Sequence, residues 1–207
     1  INDDDTQPDV LFTTNTSGVS ESIGNHTIQL YLTEESGYSI SVPYLMAGTA
    51  SNPPTSNPDV DNVDDVIVFL PGDTVKTISL SVNEDLSDEF DETVIFTLDS
   101  PTNANLGGTV THTTTIYDND DPPLINFQMV SQSVSETVGT VNIKATLTAE
   151  SARGISAEYT VGGTAIKPVD PFQDHDVFDG TLVFNPGDVE KLIVMTINDD
   201  SIPELDE

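Results

Sequence analysis

Residues 75–98 read VKTISLSVNEDLSDEFDETVIFTL. In the first eight positions Ile78, Leu80 and Val82 alternate with polar residues, and TVIFTL at the far end has the β-branched and aromatic content of a strand. Between them, residues 83–92 carry six carboxylates in ten positions, which cannot be buried without partners. The stretch therefore predicts two half-buried strands joined by a strongly acidic loop.

The composition limits the classes of partner. The 207 residues include 36 Asp and Glu against 5 Lys and Arg, a formal net charge of −31, so a nucleic-acid partner is excluded for lack of a basic face and cations are favoured. With no cysteine, disulfides and thiolate metal sites are excluded, which leaves metals that prefer oxygen ligands. No apolar run is long enough for a membrane span. The start at Ile1, without a signal peptide, is interpreted as an excerpt of a processed or longer protein.

An internal repeat organises the whole chain. Gly24, Gly48 and Asn83 recur 115 residues later as Gly139, Gly163 and Asn198, and Pro-Gly-Asp at 71–73 recurs at 186–188. A constant offset indicates two copies of one unit. The predicted domains are residues 6–121 and 122–207, with residues 1–5 as the closing segment of a preceding copy. The second copy lacks its last two strands. We expect that either a continuation of the chain or another polypeptide supplies them.

The strand pattern predicts the fold class. Short alternating segments are separated by turn residues such as Pro71-Gly72 and Gly107-Gly108, and no helical periodicity is visible. About seven strands per repeat are typical of an all-β fold of tandem immunoglobulin-like antiparallel β-sandwiches. The predicted strands of the first copy are Val10–Thr13, Thr27–Thr33, Ile40–Met46, Val66–Leu70, Val75–Val82, Thr93–Leu98 and Thr109–Tyr117.

The order of the motifs resembles the Calx-beta family. Both copies contain S-E-x-x-G, G-T-A, a P-G-D turn and an acidic pair after the strand, and the first copy ends in I-x-D-x-D. This family is known from sodium–calcium exchangers, an integrin subunit and secreted bacterial surface proteins, and the resemblance implies calcium binding at one end of each sandwich. Glu84 stands where the family usually has aspartate. The metal ligands that the resemblance implies are Glu21, Asp59, Glu84, Asp85, Glu89, Asp118 and Asp120 in the first copy and Glu136, Asp174, Asp199, Asp200 and Glu204 in the second.

Physical chemistry points the same way. Calcium takes six to eight oxygen ligands at about 2.3–2.6 Å, which loops gathered at one end of a sandwich can supply. Two like charges about 4 Å apart repel by about 4 kcal/mol at an effective dielectric constant of about 20, so clustered carboxylates need a cation. Calcium is therefore the predicted cofactor. His26, His112 and His175 are far apart in sequence and are interpreted as isolated, which disfavours zinc.

These patterns predict a calcium-binding structural or adhesive segment of a large secreted or cell-surface protein, in which calcium stiffens the repeats and the Asp118–Pro123 junction. Expected partners are calcium ions and neighbouring repeats, with a cell-surface or matrix component as a further candidate. No catalytic motif is present, so the segment is predicted not to be an enzyme. Two alternatives stay open, a calcium-sensing regulatory module and an accessory domain of an extracellular enzyme. A cadherin-like repeat is disfavoured because Arg153 does not lie in a D-R-E motif.

Overall fold

The computed structural model describes residues 5–54, 58–165, 168 and 173–201. Apart from two single-turn 3₁₀ segments, Glu21–Ile23 and Glu136–Val138, all regular structure in this part of the chain is β-strand, so the all-β prediction is confirmed. The chain divides into two compact units. Ile1–Asp85 and Phe90–Asn119 form the first, and Leu86–Glu89 and Asp120–Glu207 form the second. Within the described residues, no helix is long and apolar enough to cross a membrane.

The first unit is a two-sheet sandwich. One sheet has four strands in the order β6-β3-β1-β8, and the other has five in the order β2-β9-β7-β4-β5. In chain order the strands are β1 Asp9–Phe12, β2 Thr16–Ser20, β3 Asn25–Leu32, β4 Ile40–Gly48, β5 Asp65–Phe69, β6 Val75–Ser81, β7 Glu92–Leu98, β8 Asn105–Leu106 and β9 Thr111–Tyr117.

The apolar side of each predicted strand lines the core between these sheets. In β3, Ile28, Leu30 and Leu32 are all buried, and in β6 Ile78 and Leu80 are buried as the alternation predicted. Phe12, Phe69 and Phe96 are the largest fully buried side chains of this core. All seven predicted strands of the first copy are present, each with bounds within two residues of the prediction.

Two short strands were not predicted. β2 pairs in parallel with β9, from Thr16 opposite Thr113 to Ser20 opposite Tyr117, and β8 pairs in parallel with β1. The sequence of β2, TSGVS, has only one large apolar residue and is half exposed, so it lacks the alternation that marks a half-buried strand. Its strand character comes from its partner β9.

The second unit repeats the pairing of the first. Its strands are β10 Ile125–Phe127, β11 Thr140–Leu147, β12 Ile155–Tyr159, β13 Gly180–Phe184 and β14 Glu190–Thr196, in the sheets β10-β11-β14 and β12-β13. Ile143 lies opposite Ile193 in β11–β14 as Ile28 lies opposite Ile78 in β3–β6, which is the 115-residue offset again. The register of the repeat is therefore preserved in the hydrogen-bond ladders as well as in the sequence.

Several acids of the middle loops hold backbone N–H groups in both units. Asp64 accepts a hydrogen bond from the N–H of Met46 at 2.7 Å, and Asp179 accepts one from Val161 at the same distance. In both units the aspartate of the P-G-D turn accepts a backbone N–H, and it pairs with the lysine three residues later. The pKa of Asp73 is lowered, first by its bond with Lys76 and then by the N–H of Leu70. These acids thus have structural roles away from the candidate metal centre.

Candidate metal centre

Glu21 is the buried centre of the acidic cluster in the first unit. It opens the 3₁₀ turn between β2 and β3, and Gly24 ends that turn at φ 71°, a conformation that side chains rarely adopt. The turn directs Glu21 inward, where only 6% of its surface is exposed. A carboxyl group this deeply buried needs a compensating partner.

The surroundings of Glu21 make its charged form unfavourable. Its pKa is raised to about 7, first by burial and then by the nearby carboxylates of Asp85, Glu84 and Asp118, whereas the backbone N–H of Asp85 acts in the opposite direction. These four acids were all predicted as ligands and come from three separate segments of the chain. Without a bound cation the group therefore favours the protonated form of Glu21.

The segment after β9 is held to the same cluster. The side-chain amide of Asn119 donates to Oε1 of Glu84 at 3.0 Å, and its Oδ1 accepts a hydrogen bond from the hydroxyl of Ser20 at 3.2 Å. The N–H of Asp118 donates to Asp91 at 3.3 Å. Asn119 thus holds the segment after β9, which contains the predicted ligand Asp118, against the acidic loop.

The described carboxylates form two groups with metal-ligand spacing. Oxygens of Glu21 and Asp118 lie within 4.8 Å of one another, and so do those of Asp59 and Glu92. The predicted ligands Asp120 and Glu89 belong to the second unit. Within the first unit, Asp59 therefore lies close to Glu92, and Glu21 lies close to Asp118.

Asp59 is oriented by its own loop. Its carboxylate accepts a hydrogen bond from the N–H of Ser51, and its N–H donates to the hydroxyl of Ser51 at 3.2 Å. Glu92, its neighbour in the second group, was not predicted as a ligand. The sequence contained a signal for it, because Glu92 ends the acidic run E-F-D-E at 89–92.

The second unit does not gather its predicted ligands in the same way. Glu136 is exposed, and none of the acid groups with metal-ligand spacing among the described residues includes Glu136, Asp174, Asp199 or Asp200. Glu204 lies outside the described residues.

The salt bridges of the described lysines and arginine involve acids outside the group around Glu21: Lys76 pairs with Asp73, Lys144 with Glu190, Arg153 with Asp88 and Lys191 with Asp188. A cation from solvent can supply positive charge to the group around Glu21. The donor set consists of carboxylate oxygens on loops, which suits a hard cation with flexible coordination such as calcium.

The interpretation of the histidines as isolated is wrong for two of them. His112 is buried, and its Nδ1–H donates to the carbonyl of Thr14 at 2.7 Å, so in the neutral ring Nε2 accepts from the hydroxyl of Ser17 at 2.9 Å. His26 Nε2 lies 3.0 Å from the same hydroxyl. The pKa of His26 is lowered by burial and then by His112. β2 and β9 pair in one sheet and β3 belongs to the other, so the rings meet where the two sheets face each other, which sequence separation cannot reveal.

The sequence model of the Calx-beta domain family matches residues 3–120 and again residues 118–207, so this chain belongs to the Calx-beta family. The predicted family is thereby confirmed, and calcium is the cofactor of the chain, as the sequence analysis expected.

Similar proteins include sodium/calcium exchangers. Sodium/calcium exchanger 1 of Bos taurus is 25% identical over 193 residues, which cover 84% of this chain and 20% of the exchanger. The protein of the same name from Rattus norvegicus is 24% identical over the same length. The chain thus spans about a fifth of the length of these relatives.

Two solved structures are also similar. One is the crystal structure of calcium binding domain CBD12 of CALX1.1, with 24% identity, a TM-score of 0.49, and coverage of 92% of this chain and 76% of that chain. The other is CBD12 from CALX1.2, with 23% identity, a TM-score of 0.47, and coverage of 93% and 76%.

Proposed function

We propose that this chain is a calcium-sensing regulatory segment, in which calcium joins the acidic loop after β6 to the segment after β9. The proposed ligands in the first repeat are Glu21, Asp59, Glu84, Asp85, Glu89, Asp118 and Asp120, and Glu92, which lies close to Asp59, is a further candidate. The proposed domains are residues 6–121 and 122–207, and in the second repeat Glu136, Asp174, Asp199, Asp200 and Glu204 are the equivalent candidates.

One observation carries this proposal. Glu21 is buried with a pKa of about 7, and the causes are its burial and the three carboxylates around it. Such a cluster is unfavourable when all its members are charged and becomes favourable when a divalent cation sits among them. Calcium binding therefore changes the sign of the interaction between segments that lie far apart in sequence, which is what a sensor requires.

The adhesive, extracellular role that the sequence analysis favoured has less support than the sensor. The matched relatives are named sodium/calcium exchangers, and none of their names points to an adhesive or extracellular repeat. Calcium affinity distinguishes the sensing role from the adhesive role, since sensors have dissociation constants of about 10⁻⁷–10⁻⁵ M and extracellular modules of about 10⁻⁴–10⁻³ M.

Isothermal titration of the calcium-free chain with calcium tests the proposal. We expect micromolar binding at the first repeat, and Glu21→Gln should weaken it at least about tenfold, since it removes a charged oxygen ligand. Glu35→Gln, a change of equal charge in an exposed loop, is the matched control and should leave the affinity unchanged. Millimolar affinity in the unmodified chain would contradict the sensing role, and equal affinity of the two variants would contradict the assignment of Glu21.

A further inference from the structure

The outer strand of the three-stranded sheet in the second unit has one unpaired edge. β14 pairs with β11 on one side, and no other described strand pairs with it. Ile197 donates its N–H to the carbonyl of Gly139, so alternate residues before it, including Ile193, turn their backbone groups towards β11. Leu192 and Val194 therefore turn their N–H and C=O groups outward.

The equivalent edge in the first unit is capped. The side-chain amide of Asn62 donates to the carbonyl of Ser79 at 2.9 Å, and its Oδ1 accepts the N–H of Ser81 at 2.8 Å. The residue 115 positions later is Val177, which is buried in the core of the second unit. At Thr196, the counterpart of Ser81, Asp176 takes over: its carboxylate accepts the N–H of Thr196 at 2.7 Å and its own N–H donates to the carbonyl of Thr196 at 3.3 Å. Valine has no amide to offer, so the outward carbonyl of Val194 lacks the cap that its counterpart Ser79 has.

The side chains along this edge are also less polar in the second unit than in the first. Thr77 and Ser79 project from β6, whereas Leu192 and Val194 project from β14 with 47% and 56% of their surfaces exposed. A groove of about 530 Å³ runs beside them, and its lining includes the exposed Phe178. The edge is capped at Thr196 but not at Leu192 and Val194, and an edge segment of this kind with exposed apolar side chains is a template for pairing with another strand.

The charges around the groove select the partner. Asp176 and Asp179 line it, and the lysines of β11 and β14, Lys144 and Lys191, pair with Glu190 and Asp188. The chain as a whole carries a formal charge of −31, so a second copy would be repelled. We propose that β14 binds an extended segment of a partner protein as an added strand, in which basic residues alternate with apolar residues that pack on Leu192 and Val194.

A nine-residue peptide of alternating lysine and valine, added to the full chain in saturating calcium, tests this proposal. Calcium occupies the acid groups that would otherwise attract the lysines. Hydrogen exchange followed by NMR should show slower exchange at the amides of Leu192 and Val194, because these N–H groups would donate to the added strand. The amides of Thr77 and Ser79 should exchange as before.

Two double variants make the test specific. Leu192→Thr with Val194→Ser gives β14 the same exposed side chains that β6 has at Thr77 and Ser79. This variant should bind the peptide about fivefold to thirtyfold more weakly, because two apolar cross-strand contacts are lost. Fluorescence anisotropy measures the affinity. Val66→Thr with Val68→Ser removes two exposed valines from β5 in the first unit and should leave binding unchanged.

Three results would overturn the proposal. The first is equal peptide affinity of the β14 variant and the unmodified chain. The second is exchange protection that falls on the acidic loops and not on β14. The third is dimerisation of the chain without peptide, seen by sedimentation and lost in the β14 variant, because a second copy would then be the occupant of this edge.

Discussion

Asn119 and Glu84 are joined by a hydrogen bond of 3.0 Å from the side-chain amide to Oε1. They lie 35 residues apart, on either side of the β7–β9 hairpin, and each is next to a predicted ligand, Asp118 and Asp85. A neutral amide therefore links the two acidic segments and orders them before any cation arrives. This preorganisation lowers the entropy that calcium binding must overcome.

Replacing Asn119 by alanine should weaken calcium binding by about threefold to tenfold, since one hydrogen bond to a charged group is worth about 1.5–3 kcal/mol and part of it is regained through water. Titration calorimetry measures the effect. Asn103→Ala, which removes an amide bond from a loop away from the cluster, is the control and should leave calcium affinity as it is. If both variants bind calcium as the unmodified chain does, Asn119 does not position the ligands.

The calcium-free chain should become less stable as pH rises from about 4.5 to about 7. Glu21 has a pKa of about 7 in the folded state against 4.5 as its ordinary value, so the folded state binds more protons in this window. The stability that Glu21 contributes is therefore fully present below its unfolded-state pKa and is lost as pH rises through its folded-state pKa. Thermal unfolding followed by circular dichroism between pH 4 and 8 measures this, with Glu21→Gln as the variant that should show a smaller decline.

Calcium should reverse this trend. At a calcium concentration about 100 times the dissociation constant, binding stabilises the folded state by about 2.7 kcal/mol, which corresponds to a rise in melting temperature of about 10–20 °C for a domain of this size. Magnesium at the same concentration is the control, because its strict octahedral geometry suits this loop cluster less well. A rise of only one or two degrees with calcium would contradict a cluster held together by the ion.

The contribution of His26 to the stability of the first unit should fall on acidification through the range of histidine, opposite in sign to the contribution of Glu21. The pKa of His26 is lowered from 6.5 by burial and by His112, so the unfolded state takes up the proton first as pH falls. Stability from this group is present at neutral pH and is lost as pH falls below about 6.5. NMR titration of the ring should give a midpoint below 6.5, and His26→Gln should remove that part of the pH dependence. A midpoint at or above 6.5 would show that the ring is not held neutral.

Gly48 should tolerate alanine far less well than its repeat counterpart Gly163. Both have positive φ, at 135° and 148°, but a Cβ on Gly48 would lie 2.0 Å from the carbonyl oxygen of Thr93, whereas a Cβ on Gly163 would meet nothing within 4 Å. Gly48→Ala should destabilise its unit by about 3 kcal/mol or more and Gly163→Ala by about 1–2 kcal/mol. Chemical denaturation of each variant provides the comparison, and equal losses would contradict the close approach of β4 and β7.

Much of the fold could be predicted because local alternation and burial agree. In β3 and β6 the apolar residues at every second position are the ones that lie in the core, and the 115-residue offset carried this pattern into β11 and β14. β2 escaped prediction because its polar sequence becomes a strand only beside β9. Local sequence does not encode a partner that lies nearly 100 residues away.

The candidate site divides in the same way. The residue types, their order and their repetition identified the acids around Glu21 and the family's cofactor. The grouping of Asp59 with Glu92 and of Glu21 with Asp118 depends on how the loops close over the end of the sandwich. The network of His26, Ser17 and His112 likewise forms only when β2, β3 and β9 come together.

The sequence by itself thus determined the all-β repeat, the family and the choice of calcium, because strand alternation, turn residues and carboxylate content are local properties that survive without a structure. Only the tertiary structure decided the depth of Glu21, which sets its pKa, and the exposure of the β14 edge, where Val177 takes the place of Asn62. Burial and edge pairing are relations between distant segments, so they arise only when the chain has folded.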